Sequence, residues 1–195
     1  MTEKSTELFE LLYNKSFIYR EDPPFTLASG KESFYYFDCK ATTLNPKGVA
    51  LVGEVMFDKI EGLVKDKNIT AIGGLTLGAD PISISIAICA QKRGYDLSPL
   101  IVRKEAKKHG TGKGIEGSLK DVKDVIVIDD VITTGGSTII AIERMREAGL
   151  NIANALVLID REEGGRENIE DTGIPVISLY TRSDFDEKRL GGAAG

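Results

Sequence analysis

Short runs of apolar, mostly β-branched residues recur along this chain, and each run is followed by a glycine-containing loop and a helical pattern. The clearest run is VIVI at 125–128, and similar runs stand at 69–74 and 154–160. A strand that is apolar on both faces must be covered on both faces. Strands that alternate with helices are joined by right-handed parallel crossovers. The chain is therefore predicted to be α/β, with a mostly parallel central sheet flanked by helices.

Capping residues predict where several helices begin and end. A leucine-rich pattern over 6–15 predicts a first helix, and Gly149 predicts the end of a later one. The remaining signals are helix starts, each an N-cap residue with or without the proline that follows it: Asn45–Pro46, Asp80–Pro81 and Ser137. Isoleucines near Asp80 also alternate as in a strand, which leaves that segment open to a second interpretation.

Length and composition limit the classes of function. The 195 residues suit a single globular domain. A net charge of −5 argues against a surface that coats nucleic acid. Cys39 and Cys89 are far apart and predict buried, reduced thiols. The first residues, MTEKSTELFELLYNKS, resemble neither a signal peptide nor a membrane span, so we expect a cytoplasmic protein that binds no membrane.

The stretch VIVIDDVITTGGS at 125–137 combines two kinds of polar group at the end of a strand. Ligands of parallel sheets bind beyond the carboxyl ends of the strands, where Asp129 and Asp130 stand. Threonines, glycines and a serine follow at a helix start, where backbone N–H groups favour a phosphate. Carboxylates suit the hydroxyls of a sugar. The stretch predicts a sugar-phosphate site; alternatively, the acids only end a strand before an ordinary turn.

This stretch resembles the phosphoribosyl-pyrophosphate motif of the type I phosphoribosyltransferases. FTLASGKESFYYF at 25–37 and RKEAKKHGTGKGIEG at 103–117 resemble the substrate segment and the mobile catalytic loop of the orotate phosphoribosyltransferase branch. GGLTLGADPI and LIDREEGG extend the similarity over most of the chain. The resemblance implies the type I fold as one domain over 1–195, with a small hood from residues 1–40, the loop at 103–117 and a flexible tail at 191–195.

The segment 103–117 also has the composition of a lid, independently of the resemblance. It concentrates cations and the only histidine of an acidic protein between glycines. A solvated charged loop is the alternative interpretation. GKGIEG within it fits the pattern GxGxxG, but it follows no strand and opens no helix, so a dinucleotide site is not indicated.

The resemblance implies transfer of a phosphoribosyl group from phosphoribosyl pyrophosphate to orotate with Mg²⁺, in a homodimer whose loops are shared between subunits. The implied catalytic residues are Lys107, His109, Asp129 and Asp130. The implied phosphoribosyl-pyrophosphate site comprises Arg103, Lys104, Lys107, His109, Asp129, Asp130, Val131, Ile132, Thr133, Thr134, Gly135, Gly136 and Ser137. The implied orotate site comprises Thr133, Arg161, Tyr36 and Phe37. Most ligands of the Mg²⁺ ion are expected to come from phosphoribosyl pyrophosphate and water, with Asp130 as the candidate protein ligand.

Two positions depart from the family pattern. Many relatives carry lysines where this chain has Ala28 and Leu77, and our hypothesis is that Lys31 compensates in part. Two other functions stay open: transfer to a purine base, and a DNA-binding regulator that has kept the ligand site. The chain has no segment that resembles a helix-turn-helix before Phe25 and no basic face, which disfavours the regulator.

Overall fold

The computed structural model describes residues 2–26, 32–105 and 114–191. Within these ranges the chain forms ten strands and seven helices. The strands are β1 (Phe17–Tyr19), β2 (Phe25–Thr26), β3 (Glu32–Ser33), β4 (Tyr35–Phe37), β5 (Ala71–Leu75), β6 (Ser98–Val102), β7 (Ile115–Glu116), β8 (Asp124–Ile132), β9 (Asn151–Asp160) and β10 (Val176–Thr181). The helices are α1 (Glu3–Lys15), α2 (Lys40–Thr43), α3 (Pro46–Asp66), α4 (Ala79–Lys92), α5 (Gly136–Glu147), α6 (Gly165–Glu170) and α7 (Arg182–Gly191).

Six strands form the central sheet, in the order β10-β9-β8-β5-β6-β7. Every neighbouring pair is parallel except β6 and β7, which are antiparallel. The prediction of a mostly parallel sheet flanked by helices is confirmed. The chain leaves β5 toward β6 on one side and later returns to β8 on the other side. Such a switch in strand order opens a crevice beyond the carboxyl ends of the two strands.

Two hydrophobic cores cover the two faces of this sheet. Ile126 and Ile128 of β8 join the core that contains α1, α3 and α4. Val125 and Val127 join the core formed with α5 and α6. All four side chains are fully buried. The VIVI run is therefore apolar throughout because successive side chains of one strand enter different cores.

Two small antiparallel sheets lie in the N-terminal part of the chain, one formed by β1 and β4 and one by β2 and β3. Phe17 of β1 and Phe37 of β4 contact Phe185 of α7, with ring centroids 5.3 and 5.0 Å apart. Aromatic pairs at these separations add to the stability gained from burial. The C-terminal helix thus attaches the N-terminal strands to the body of the protein.

The predicted helix boundaries agree with the structure in part. Asn45 caps α3 by accepting the N–H groups of Lys47 and Gly48, as its sequence position predicts. The first helix begins three residues earlier than predicted, at Glu3. Gly149 adopts a left-handed φ of 82° just after α5 and confirms the predicted end of that helix.

Two predicted helix starts are wrong. Helix α4 begins at Ala79, so Asp80 lies inside its first turn and accepts a hydrogen bond from the Thr76 hydroxyl at 2.6 Å. Helix α5 begins at Gly136 after Gly135, which has a φ of 78°, so Ser137 lies within the helix. Only Gly135 makes a left-handed turn into its helix, since Gly78 already has helical backbone angles. In both cases the polar side chain is left for other contacts.

Both cysteines, Cys39 and Cys89, are free and buried, as predicted. Across the described ranges, no helix combines the length and the apolar character needed to cross a membrane.

Candidate active site

A cavity of about 730 Å³ opens beyond the carboxyl ends of β8 and β9. It brings together most of the residues that the sequence predicts for the site. Its walls are formed by Thr26, Tyr36, Phe37, Lys40, Asp129, Asp130, Val131, Ile132, Thr133, Thr134, Gly135, Gly136, Ser137 and Arg161. The stretch 129–137 supplies the floor of this cavity, and residues from distant parts of the chain supply its sides.

The loop from Thr133 to Gly136 has the features of a phosphate site. It leads directly into α5, a helix of twelve residues whose N-terminus has no side-chain cap in the described part of the chain. Uncapped N–H groups and the helix dipole both favour an anion at this end. The left-handed backbone at Gly135 turns the chain so that this end lies at the cavity.

Helix α6 forms a close support behind this loop. A Cβ atom at Gly135 would lie 2.8 Å from the Gly165 carbonyl oxygen, and one at Gly165 would lie 2.6 Å from the Thr133 carbonyl oxygen. Asn168 donates its side-chain amide to the Thr134 carbonyl at 3.0 Å. Two glycine backbones thus pack against each other, and an amide holds the loop next to them. The position of the loop depends on both glycines.

Asp129 is buried at the end of β8, with 5% of its surface exposed. Its carboxylate accepts the Thr138 hydroxyl at 2.6 Å and the Asp130 N–H at 3.0 Å. Burial raises the pKa of Asp129 to about 7, and the neighbouring Asp130 carboxylate adds to the shift. Asp129 can therefore gain or lose a proton near neutral pH.

Asp130 is partly exposed and faces a second space. A smaller cavity of about 290 Å³ adjoins the first one and shares Asp129, Asp130, Lys40 and Ser137 with it. Thr76, Leu77 and Gly78, together with Leu75 and Lys104, complete the walls of the smaller cavity. A Cβ atom at Gly78 would overlap the Asp130 carboxylate, so this glycine permits the acid to reach both cavities.

Lys40 is a cationic residue of this site that the sequence did not predict. It lines both cavities and lies 3.3 Å from Asp38. Burial by itself would lower the pKa of Lys40, but the Asp130 and Asp38 carboxylates outweigh that effect and raise it. Lys40 therefore brings a positive charge to the point where the two cavities meet.

Arg161 also lines the larger cavity. Its side chain is only 5% exposed and pairs with Glu163 at 2.8 Å, so it is not the surface ion pair that its acidic neighbours suggest. Tyr36 and Phe37 differ although both border the cavity. Tyr36 is 40% exposed and stacks on Phe25, whereas Phe37 is buried among other aromatic rings. Phe37 is chiefly a core residue.

The predicted loop cations do not all reach the larger cavity. Arg103 lines a third cavity of about 640 Å³ and pairs with Glu116 at 3.0 Å. Lys104 lines that cavity and the smaller cavity of about 290 Å³. Lys107 and His109 lie outside the described residues, as do Ala28 and Lys31. No cluster of three or more histidine, cysteine, aspartate or glutamate side chains in the described ranges could hold a metal ion.

Sequence reasoning missed Thr26, Lys40, Gly165 and Asn168. The first two line the cavity, and the other two contact the phosphate loop from α6. The only signal in the sequence was the glycine pair at 164–165 directly after DREE. A Cβ atom at Gly165 would meet the Thr133 carbonyl, whereas one at Gly164 would meet nothing within 4 Å.

Comparison with known proteins identifies similar chains. Residues 42–177 match the family described as the phosphoribosyl transferase domain. The orotate phosphoribosyltransferase of Leptospira biflexa is 48% identical, over 88% of this chain and 92% of its own. That of Aquifex aeolicus is 44% identical, over 92% and 96%. A solved structure of the Mycobacterium tuberculosis H37Rv orotate phosphoribosyltransferase with 5-phospho-α-D-ribosyl 1-diphosphate has a TM-score of 0.73 and 31% identity, covering 94% of this chain and 99% of that one.

The raised pKa of Asp129 predicts a specific dependence of stability on pH. The folded protein binds this proton more tightly than the unfolded chain does. The free energy of unfolding therefore falls as the pH rises from the usual aspartate pKa to about 7, and this loss is complete above about 7. Asp129→Asn removes this loss. We expect the advantage of the variant in unfolding free energy to grow by roughly 2 kcal/mol between pH 5 and pH 8. Urea unfolding at both pH values measures it, and a constant difference would contradict the assignment.

The contact between Gly165 and the loop from Thr133 to Gly136 predicts that one added methyl group weakens phosphate binding. Gly165→Ala forces the Thr133 carbonyl or α6 to move, and we expect the Kd for ribose 5-phosphate to rise about tenfold or more. Titration calorimetry measures this Kd. Gly62→Ala is the matched control, because a Cβ atom there meets nothing within 4 Å. Equal affinities of both variants would show that the loop does not depend on α6.

Proposed function

Because the chain belongs to the phosphoribosyltransferase family, within its orotate phosphoribosyltransferase branch, we propose that its larger cavity is where phosphoribosyl pyrophosphate and orotate react. The enzyme transfers the 5-phosphoribosyl group to orotate and releases orotidine 5′-monophosphate and pyrophosphate, in pyrimidine biosynthesis. One observation carries the assignment of the site: an acidic pair, an uncapped helix N-terminus and a buried arginine face a single cavity.

The stretch 129–137 binds the phosphoribosyl group in this proposal. Asp129 and Asp130 accept hydrogen bonds from the ribose hydroxyls. Val131 and Ile132 supply backbone to the wall, and the loop from Thr133 to Ser137 binds the 5′-phosphate. The order of these groups along the chain supports the two roles. The acids lie near the end of β8, and the uncapped N–H groups lie a few residues later, where α5 begins.

The pyrophosphate group binds in the smaller cavity. Lys40 and Lys104 both line it, and two cations suit a leaving group on which negative charge accumulates. Arg103 lies in the neighbouring cavity and pairs with Glu116. We propose that it acts together with Lys107 and His109 on the pyrophosphate in the site of a second subunit. Arg103 lines neither the larger nor the smaller cavity of its own subunit, which supports this sharing within a homodimer.

Mg²⁺ is the proposed cofactor. The donor set fits a hard cation that is held mainly by substrate oxygens and water, because the described residues offer only the Asp129 and Asp130 carboxylates at this point. Asp130, which faces both cavities, is the proposed protein ligand. When bound, the ion would neutralise charge on the pyrophosphate.

Orotate binds beside Arg161 in this proposal. A guanidinium suits the carboxylate of the base, and Tyr36 offers an exposed aromatic face for the ring. Thr133, the first residue of the phosphate loop, also lines the cavity and is proposed to bind the edge of the base. Phe37 packs on Phe17 and so contributes to the wall of the cavity from the core side.

The chemistry requires electrostatic stabilisation rather than a protein nucleophile. Loss of pyrophosphate leaves positive character on the ribose ring, which the Asp129 and Asp130 carboxylates stabilise. The negative charge that develops on the departing pyrophosphate is stabilised by Lys40, Lys104 and Lys107. We propose that His109 donates a proton to the departing pyrophosphate, since an unperturbed imidazole titrates near neutral pH.

Several features of chain organisation stay part of the proposal. The chain works as one domain over 1–195 in this proposal, with a hood from residues 1–40. Most of the predicted catalytic loop at 103–117 and of the predicted tail at 191–195 lies outside the described residues. We place the enzyme in the cytoplasm as a homodimer, in keeping with a biosynthetic family.

The reaction itself is tested by following orotate absorbance with purified protein, phosphoribosyl pyrophosphate and Mg²⁺. We expect orotate to be consumed only when all components are present. Adenine, hypoxanthine and uracil serve as alternative bases and should give no product. Consumption of a purine instead of orotate would contradict the proposed specificity.

The position of Lys40 predicts a separate role in binding phosphoribosyl pyrophosphate. Lys40→Ala removes a charge from the wall of the smaller cavity, so we expect the KM for phosphoribosyl pyrophosphate to rise about tenfold, as for the loss of a charge-assisted hydrogen bond. The KM for orotate should change by less than about twofold. Lys47→Ala, at an exposed ion pair with Glu7, is the control. Equal effects of the two variants would exclude Lys40 from the site.

A further inference from the structure

The guanidinium of Arg161 is fixed through one of its nitrogens. Nη2 donates to the Ser33 hydroxyl at 3.0 Å and lies 2.8 Å from a carboxylate oxygen of Glu163. Nε is buried and has no hydrogen-bond partner within the described ranges. A buried donor without a partner is costly in a protein interior. Because the contacts with Ser33 and Glu163 both use Nη2, the guanidinium has further donors for a ligand in the cavity that Arg161 lines.

Ser33 uses the full hydrogen-bonding capacity of its hydroxyl. The oxygen donates to the Tyr35 carbonyl at 3.1 Å and accepts the Tyr35 N–H at 3.1 Å. Its second lone pair accepts the Arg161 Nη2. A hydroxyl has one donor and two acceptor sites, so all three are occupied. Because two of these bonds go to backbone, the position of the hydroxyl is set by the turn between β3 and β4.

The main chain of Arg161 is held as well. Its N–H donates to the Ile132 carbonyl at 3.0 Å, and its carbonyl accepts Nε of Arg182 at 3.3 Å. Arg182 in turn lies over the Tyr35 ring, 5.7 Å from its centroid. The two ends of the Arg161 side chain are thus fixed by different parts of the protein. The body of the fold holds the backbone, and the N-terminal strands hold the guanidinium.

We propose that Ser33 is a positioning residue for base recognition: its hydroxyl holds Arg161 so that the remaining guanidinium donors meet the carboxylate of the base. This inference rests on the proposed binding of orotate at Arg161. Ser33 itself does not touch the base. Its effect is confined to the energy of the carboxylate contact, since a misoriented guanidinium loses the aligned hydrogen bonds to a carboxylate.

Ser33 is a better test position than Glu163. Removing Glu163 would leave Arg161 buried without its counter-charge and could disturb the fold. Ser33→Ala leaves both charges in place and removes only the hydroxyl. Ser33→Thr keeps a hydroxyl on the same backbone and suits a strand position. The pair of variants therefore separates orientation from charge.

The experiment compares two nucleotides that differ only in the carboxylate. Orotidine 5′-monophosphate and uridine 5′-monophosphate share the phosphate, the ribose and the pyrimidine ring. The Kd for uridine 5′-monophosphate divided by the Kd for orotidine 5′-monophosphate, both measured by calorimetry on the full chain, reports the carboxylate contact alone. We expect Ser33→Ala to reduce this ratio about tenfold while the Kd for uridine 5′-monophosphate stays within about twofold. Ser33→Thr should restore the ratio.

Ser98→Ala is the matched control. Ser98 is also a half-buried serine of a strand, but it begins β6 at the end of the sheet opposite the cavity. Its substitution should leave the ratio unchanged. An unchanged ratio in Ser33→Ala would overturn the inference, as would an equal loss of affinity for both nucleotides.

Arg161→Lys separates this inference from the proposed function. A large ratio in the unmodified protein that falls in Arg161→Lys supports Arg161 as the carboxylate site. If that holds while Ser33→Ala has no effect, only the role of Ser33 is wrong. A ratio near one in the unmodified protein, or one that Arg161→Lys does not alter, means that the proposed orotate site is wrong as well.

Discussion

The burial of β8 on both faces, as far as Asp129, is the constraint on which the site depends. A strand that is packed between two cores is fixed in position, so the groups at its end are fixed with it. The same burial removes water from Asp129 and raises its pKa to about 7, while the Thr138 hydroxyl gives the carboxylate a partner. The strand therefore positions the acidic pair and also raises the pKa of Asp129. The next residues leave the sheet and form the phosphate loop.

Close backbone packing connects the loop from Thr133 to Gly136 with the segment that carries Arg161. The segment that follows β9 carries Arg161, then the glycine that contacts the loop, then Asn168, which binds the Thr134 carbonyl. The N–H of Arg161 also binds the carbonyl of Ile132 at the end of β8. Groups assigned to the base and to the phosphate thus share one short stretch of chain. The distance between the two ends of the cavity is set by main-chain contacts, which vary less than contacts between flexible side chains.

Charge is distributed unevenly in this acidic protein. The chain carries a net charge of −5, yet Lys40, Lys104 and Arg161 line adjoining cavities at one edge of the sheet. Each of these cations has a different relation to the acids. Lys40 lies beside Asp130 and has a raised pKa, whereas Arg161 is held by a carboxylate of its own segment. Cations that are already paired are oriented at little further cost in conformational entropy when an anionic ligand binds.

The sequence by itself determined the α/β class, the burial of VIVI on both faces, the cap at Asn45 and the polar stretch 129–137 that runs from strand to helix. These features depend on neighbours in the chain, such as side-chain alternation, a capping side chain and the order of strand, loop and helix. Only the tertiary structure decided that Lys40 faces the cavity, that Asn168 supports the phosphate loop and that Ser33 holds Arg161. The last contact joins residues 128 positions apart. No local pattern encodes such a contact, because it exists only after the N-terminal strands have packed against the end of the sheet.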